Sequence, residues 1–232
     1  MAGDPRLLAD LLVHKCYDYA KPRRIGNFLR RILGDGLICI EEDAHKFLRK
    51  NTMPAFHLKH IKDLYSMMWT KAGVLTRALE REVDKPDSEG KGKGVVELTN
   101  WASKVTLDII GIAGMGRELN VVEKPGGDEL QEIYEELLEP DREKIFFAML
   151  GLAFGVKTVQ LIPWKMNDLF VHLTSSLDRI CRDLIRDKRQ KIEQQKEDPE
   201  NGHFDILSLL IKSNNFGDEV LKDQLLTFLA AG

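Results

Sequence analysis

A long stretch in the C-terminal half has apolar residues at helical spacing, and it constrains the fold more than any other segment. Across residues 164–191 these side chains recur every three or four positions and so share one face of a helix. At about 1.5 Å per residue the helix is about 40 Å long. The apolar stripe comprises Met166, Leu169, Leu173, Leu177, Ile180, Leu184 and Ile185. Strand signals elsewhere are weak, so the sequence favours a mainly α fold.

Similar helical patterns cover much of the remaining chain. They predict helices over 5–14, 60–83, 97–111, 128–139, 204–213 and 218–232, and one that begins near Glu42 and ends before Pro54. Residues 84–94 and 193–202 are polar and predict loops, and Gly34-Asp35-Gly36 predicts a turn. Neither an internal repeat nor a strong domain boundary is present, so residues 1–232 are interpreted as a single domain.

Composition excludes several classes of protein. Lys and Arg total 34 and Asp and Glu total 37, a net charge of −3 that argues against a nucleic-acid binder. Cys16, Cys39 and Cys181 are far apart, which predicts neither a disulfide framework nor a zinc site. The longest apolar run, residues 145–156, has twelve residues, whereas a membrane-spanning helix needs about twenty. No transmembrane segment is therefore predicted.

Several motifs have both a structural and a functional interpretation. Gly111, Gly114 and Gly116 are in the wrong order for a dinucleotide fingerprint and better fit a helix terminus. The run 145–156 is most simply core, but it also suits an apolar ligand channel or a membrane surface. A cluster of basic residues is either a solvated face or a site for an anionic group. Its members are Lys21, Arg23, Arg24, Arg30 and Arg31.

His45 and Arg49 form the most specific candidate pair. They are four residues apart and therefore project from the same face of their predicted helix. Arg49 is a permanent donor, and His45 adds a second donor through a ring N–H, so together they suit a carboxylate. Spacing alone leaves open the alternative that both are simply exposed helix residues.

Five stretches in order resemble the cytochrome P450 family of heme-thiolate monooxygenases, particularly its fungal members. They are residues 17–22 (YDYAKP), 28–38 (FLRRILGDGLI), 42–50 (EDAHKFLRK) with 53–56 (MPAF), 101–111 (WASKVTLDIIG) and 225–232 (LLTFLAAG). Together they extend over essentially the whole chain. The resemblance implies a heme cofactor, an apolar small-molecule substrate, dioxygen as oxidant and an NADPH-dependent reductase as partner.

The resemblance also assigns roles to particular residues. His45 and Arg49 match the positions that contact a heme propionate, although the family commonly has Trp in place of His45. Ala231 and Gly232 match the first two positions of the small-residue groove that crosses the heme. Residues 164–191 correspond to the G helix, and the run 145–156 is expected near the substrate channel.

Other family motifs are not found in the sequence. The acid and Thr of the groove and the loop of the iron-ligating Cys are absent, and Glu139–Arg142 matches the E-x-x-R letters in the wrong place. We therefore expect an incomplete cytochrome P450 fold, one partial domain over 1–232 truncated at both ends, without the half that ligates the heme iron. No catalytic or metal-ligating residue is assigned.

Two functions remain open at this level. The first is a piece of a monooxygenase that is inactive alone; the second is a non-catalytic helical interaction protein that retains part of the fold. Eukaryotic members of the family typically lie at the endoplasmic reticulum membrane, but this sequence shows no anchor, so its location is left open.

Overall fold

A computed structural model describes residues 4–84, 94–124, 126–138, 141–194 and 205–231. Within these ranges the backbone forms helices and turns without a β-strand, which confirms the mainly α prediction. The helices are α1 (Pro5–Ala9), α2 (Arg23–Leu33), α3 (Glu42–Thr52), α4 (Leu58–Asp63), α5 (Tyr65–Val83), α6 (Leu98–Ile110), α7 (Glu129–Leu138), α8 (Arg142–Phe154), α9 (Val156–Val159), α10 (Lys165–Gln194), α11 (Ile206–Ser213) and α12 (Asp218–Ala231).

Several helix boundaries differ from the predictions. The predicted helix over 60–83 is divided at Leu64 into α4 and α5. The predicted helix over 5–14 continues from α1 as a π-helical turn, Asp10–His14. A second π turn, Gly111–Met115, follows α6 and ends at Gly116 in a left-handed conformation, so these glycines do form a helix terminus. Helix α2 was not predicted at all.

The long helix α10 lies at the centre of the core. Five of its stripe residues are buried: Met166, Leu173, Leu177, Ile180 and Ile185. It packs against α7, α8, α11 and α12. Leu207, Leu221 and Leu225 complete the main cluster and are essentially inaccessible to solvent. The predicted stripe is therefore the surface around which the fold is organised.

The turn between α2 and α3 lies directly against α12. A Cβ atom on Gly36 would come within 2.0 Å of Thr227 Oγ1 and 2.6 Å of the Asp223 carbonyl oxygen, so only glycine fits there. The Asp35 amide donates a hydrogen bond to Asp223 Oδ2 at 2.9 Å. These contacts hold α2 beside α12, and the two helices form walls of the cavity described next.

Candidate ligand and cofactor site

A cavity of about 330 Å³ lies between α2, α7, α8, α10 and α12. Its wall is apolar except for three side chains, Tyr134, Glu136 and Lys144. The other lining residues are Phe28, Leu29, Ile32, Leu33, Phe147, Ala148, Met166, Leu169, Phe170, Leu173, Leu177, Leu226, Leu229 and Ala230. A wall of this composition suits apolar small molecules, because contact with it removes their surface from water.

The segment 145–156 contributes both to the core and to the wall of this cavity. Phe147 and Ala148 line the cavity, and Phe147 packs against Phe170 with ring centroids 5.2 Å apart. Phe147 and Gly151 are buried, whereas Phe146 and Met149 on the same helix are more than half exposed. One face of α8 is thus core and cavity wall, and the opposite face is apolar surface.

The two charged residues of the wall pair with each other. Lys144 Nζ lies 2.8 Å from Glu136 Oε1 and also donates a hydrogen bond to the Glu136 carbonyl oxygen. Because each charge has its partner, this pair adds polarity to the edge of the cavity without giving it a net charge.

His45 is half-buried and lies near the start of α3. Its Nδ1 atom is 3.2 Å from the Tyr17 hydroxyl. Burial lowers the pKa of His45, and the neighbouring charges of Lys21 and Arg49 lower it further, so the ring is neutral at pH 7. If Nδ1 accepts from Tyr17, the proton is on Nε2, and this N–H remains available to a ligand.

Arg49 is one helical turn further along α3, on the same face as His45. Its side chain is exposed and makes no hydrogen bond or ion pair to the part of the chain that the structure describes. Lys21 is anchored nearby, where its Nζ donates to the Ile40 carbonyl oxygen at 3.1 Å. Within the described residues, neither the Arg49 guanidinium nor the His45 ring is paired with an acidic side chain. The two groups therefore fit a carboxylate such as a heme propionate.

Ala231 and Gly232 belong to a different element. Ala231 is the exposed last residue of α12, and Gly232 lies outside the described residues. One residue earlier, Ala230 lines the cavity. Phe228 contacts Phe56, in the turn after α3, with ring centroids 5.6 Å apart. The end of α12 therefore adjoins both the cavity and the element that follows the His45–Arg49 helix.

The basic cluster makes separate contacts with several neighbours of α2. Arg24 donates to the Ala153 carbonyl oxygen at 2.6 Å, Arg30 pairs with Asp35 at 3.0 Å, and Arg31 reaches Gln160 at 3.5 Å. Arg24, Arg30 and Arg31 also line one open cavity of about 550 Å³ together with Lys157, so the site for an anionic group stays a prediction.

Sequence reasoning missed the contribution of α2 to the cavity. Phe28, Leu29, Ile32 and Leu33 all line it. Their spacing of one, four and five residues is that of one helical face, so the signal was present. The surrounding arginines concealed it, because a dense basic segment indicates a solvated face or an anion site rather than an apolar wall.

Two of the cysteines are buried. Cys181 is fully buried in the core, and burial raises its pKa to about 12. Burial also raises the pKa of Cys39. Neither has the sequence neighbours of the family's iron-ligating loop. Among the described residues no group of three or more His, Cys, Asp or Glu side chains is arranged to hold a metal ion.

Comparisons with known proteins agree with the resemblance. The family model for cytochrome P450 matches residues 1–232. The chain is 37% identical over 229 residues to cytochrome P450 monooxygenase FUM15 of Gibberella moniliformis, covering 98% of this chain and 38% of that protein. It is 38% identical over 235 residues to cytochrome P450 monooxygenase sphH of Aspergillus fumigatus, covering 98% of this chain and 41% of that protein. The chain thus spans about two fifths of the length of these curated relatives.

A solved structure confirms the fold. A crystal structure of the cytochrome P450 CYP102L1 superposes with a TM-score of 0.62 and 15% identity, over 90% of this chain and 41% of that one. None of the helices in the described ranges has the length and apolar character needed to cross a bilayer. With the family model matching every residue and the fold matching a P450 over most of its length, the chain belongs to the cytochrome P450 family.

Proposed function

We propose that this chain supplies the substrate-binding cavity and a propionate-binding pair of a cytochrome P450 monooxygenase that hydroxylates an apolar small molecule with dioxygen. The observation that carries the proposal is the apolar cavity beside the last turn of α12. We propose further that residues 1–232 form one partial domain of this enzyme. The relatives named above are cytochrome P450 monooxygenases, which supports the reaction type.

Heme is the cofactor of the family. When bound, it supplies the iron at which dioxygen is activated. In this chain the Nε2–H of His45 and the guanidinium of Arg49 would hold a propionate, since both donors are on one face of α3 and lack a competing acid. Small residues at Ala231 and Gly232 would let the flat macrocycle approach the α12 backbone closely. These roles rest on donor chemistry and on the family resemblance.

Two further proposals follow from family membership. Electrons would come from NADPH through a reductase partner, as the family implies. We also expect the 232 residues to show no turnover by themselves, because none of Cys16, Cys39 and Cys181 has the neighbours of the ligating loop. A carbon monoxide difference spectrum of the thiolate type from these residues would contradict that expectation.

The propionate pair is tested by titrating the full chain with hemin and following absorbance in the Soret region. A hydrogen bond to a charged group is worth about 1.5–3 kcal/mol. His45→Phe and Arg49→Met are therefore each expected to weaken heme binding by about tenfold or more. Lys50→Met is the matched control, an exposed cation next to Arg49 on the same helix.

The outcomes separate the two functions. Weaker heme binding in His45→Phe and Arg49→Met, with unchanged binding in Lys50→Met, supports the propionate assignment. Equal affinity in all four proteins would show that His45 and Arg49 do not hold the heme. A wild-type chain that folds but binds no heme would instead favour the non-catalytic interaction protein.

A further inference from the structure

One polar side chain in the cavity wall has no partner. Glu136 and Lys144 pair with each other, but Tyr134 makes no hydrogen bond to any residue that the structure describes. Tyr134 is only 8% exposed, and it belongs to the main core cluster as well as to the cavity lining. The Tyr134 hydroxyl is not among the fully buried polar atoms, so it keeps accessible surface, and in an otherwise apolar wall it is a donor and acceptor that a ligand can reach.

Helix α7 holds Tyr134 in a fixed position. Leu130 and Ile133 share its buried face, and Leu130 is fully inaccessible to solvent. Arg179 of α10 forms an ion pair with Glu129 in the first turn of α7. The phenol ring is thus packed between helix and core. Burial also raises the pKa of Tyr134, which keeps the hydroxyl protonated and able to donate.

We propose that the Tyr134 hydroxyl hydrogen-bonds an oxygen-bearing group of the substrate and makes the cavity selective for oxygenated apolar molecules over plain hydrocarbons. This inference rests on the proposed function, since it assigns the substrate class of the same cavity. A site built to hydrogen-bond a ligand discriminates against the analogue that lacks the group, because the protein hydroxyl is then left unpaired.

The remaining wall narrows the ligand class further. Glu136 and Lys144 neutralise each other, and the other fourteen lining residues are apolar. A charged ligand would lose its hydration without finding an unpaired countercharge in the cavity. The ligand that fits is therefore a neutral apolar molecule with a hydroxyl or carbonyl group.

Two fluorescent probes of matched shape test the inference on the full chain: naphthalene, which has no polar group, and 2-naphthol, which adds one hydroxyl. We expect Tyr134→Phe to weaken 2-naphthol binding about five- to tenfold, the loss of one net hydrogen bond, and to leave naphthalene binding unchanged. Tyr65→Phe is the control, because Tyr65 is exposed and outside the cavity lining. Ala148→Trp, which fills the cavity, should reduce binding of both probes.

Each result has a distinct meaning. Unchanged 2-naphthol binding in Tyr134→Phe overturns the inference but leaves the apolar cavity of the proposed function intact. Equal weakening of both probes also overturns it, because the hydroxyl would then only maintain the shape of the wall. If Ala148→Trp affects neither probe, the cavity is not the binding site and the proposed function itself fails.

A melting curve provides a readout independent of ligand. An unpartnered hydroxyl predicts that Tyr134→Phe melts at the wild-type temperature or above it. A fall of several degrees would show that the hydroxyl has a structural partner within the protein, and it too would overturn the inference.

Discussion

The two sides of the cavity are stabilised in different ways. The α10–α12 side contains fully buried residues such as Leu221 and Leu225. It is also crossed by ion pairs, among them Lys222–Asp178 at 2.8 Å and Arg189–Asp218 at 2.6 Å. Within helix α8 itself, only Phe147 and Gly151 are buried. Four apolar side chains of α8 are more than half exposed: Ile145, Phe146, Met149 and Phe154.

This difference indicates how one cavity combines stability with adaptability. The α10–α12 wall is part of the main core, so its position is fixed by the packing that folds the protein. The α8 wall is held by a small cluster around Phe147, Phe170 and Trp164, and it has fewer buried contacts to lose when it shifts. We therefore expect mutations on the two walls to have effects of different size and kind.

The largest effect is expected from a core deletion on the α10–α12 wall. Leu221→Ala removes a side chain with no solvent exposure and should lower the free energy of unfolding by about 2–5 kcal/mol. Val220→Ala is the control, since Val220 is 36% exposed and its truncation should cost about 0.5 kcal/mol or less. Urea denaturation measures both. Equal costs for the two would show that this wall is not the packed side.

A smaller effect is expected from the charges on the same wall. Lys222 Nζ lies within 3.4 Å of oxygens from Asp178, Glu219 and Asp223, and its side chain is only 13% exposed. Lys222→Met leaves these carboxylates without their shared cation and should cost about 1 kcal/mol at neutral pH. The exposed Lys212→Met is the control.

The pH dependence of that variant sharpens the test. Burial alone would raise the pKa of Asp178, but hydrogen bonds from Arg182 and Lys222 lower it overall. Its contribution is present above the ordinary carboxyl pKa and is lost as pH falls through the lowered value. Burial would lower the pKa of Lys222, but its carboxylate partners raise it, so that contribution is lost as pH rises through the raised value. Lys222→Met should therefore make the free energy of unfolding depend less on pH. If the pH profile of the variant runs parallel to that of the wild type, the ion pairs of Lys222 do not contribute as expected.

The smallest change in stability is expected on the exposed face of α8. Met149→Ser replaces a 63% exposed side chain and should change the free energy of unfolding by about 0.5 kcal/mol or less. It should also reduce self-association measured by light scattering, because it removes apolar surface. Phe147→Ser, on the buried face of the same helix, should destabilise strongly. A large loss of stability in Met149→Ser would show that the two walls are equally well packed.

The helices that the sequence predicted well have strong local patterns. The stripe along α10 and the end of α3 before Pro54 follow from residues a few positions apart, and both are present in the structure. The prediction of one continuous helix over 60–83 was wrong, because the chain divides at Leu64, where neither Gly nor Pro occurs to mark the boundary. Helix α2 was missed because its basic residues concealed the apolar face.

The site shows the same limit. The sequence by itself placed His45 and Arg49 on one helical face, since a spacing of four residues is enough for that. It also carried the family motifs that the comparisons confirm. Only the tertiary structure brought α2, α7, α8, α10 and α12 around one cavity and placed Tyr134 there, with no hydrogen-bond partner for its hydroxyl among the described residues. Periodicity depends on near neighbours in the chain, whereas the partners of a buried polar group depend on helices that are distant in sequence.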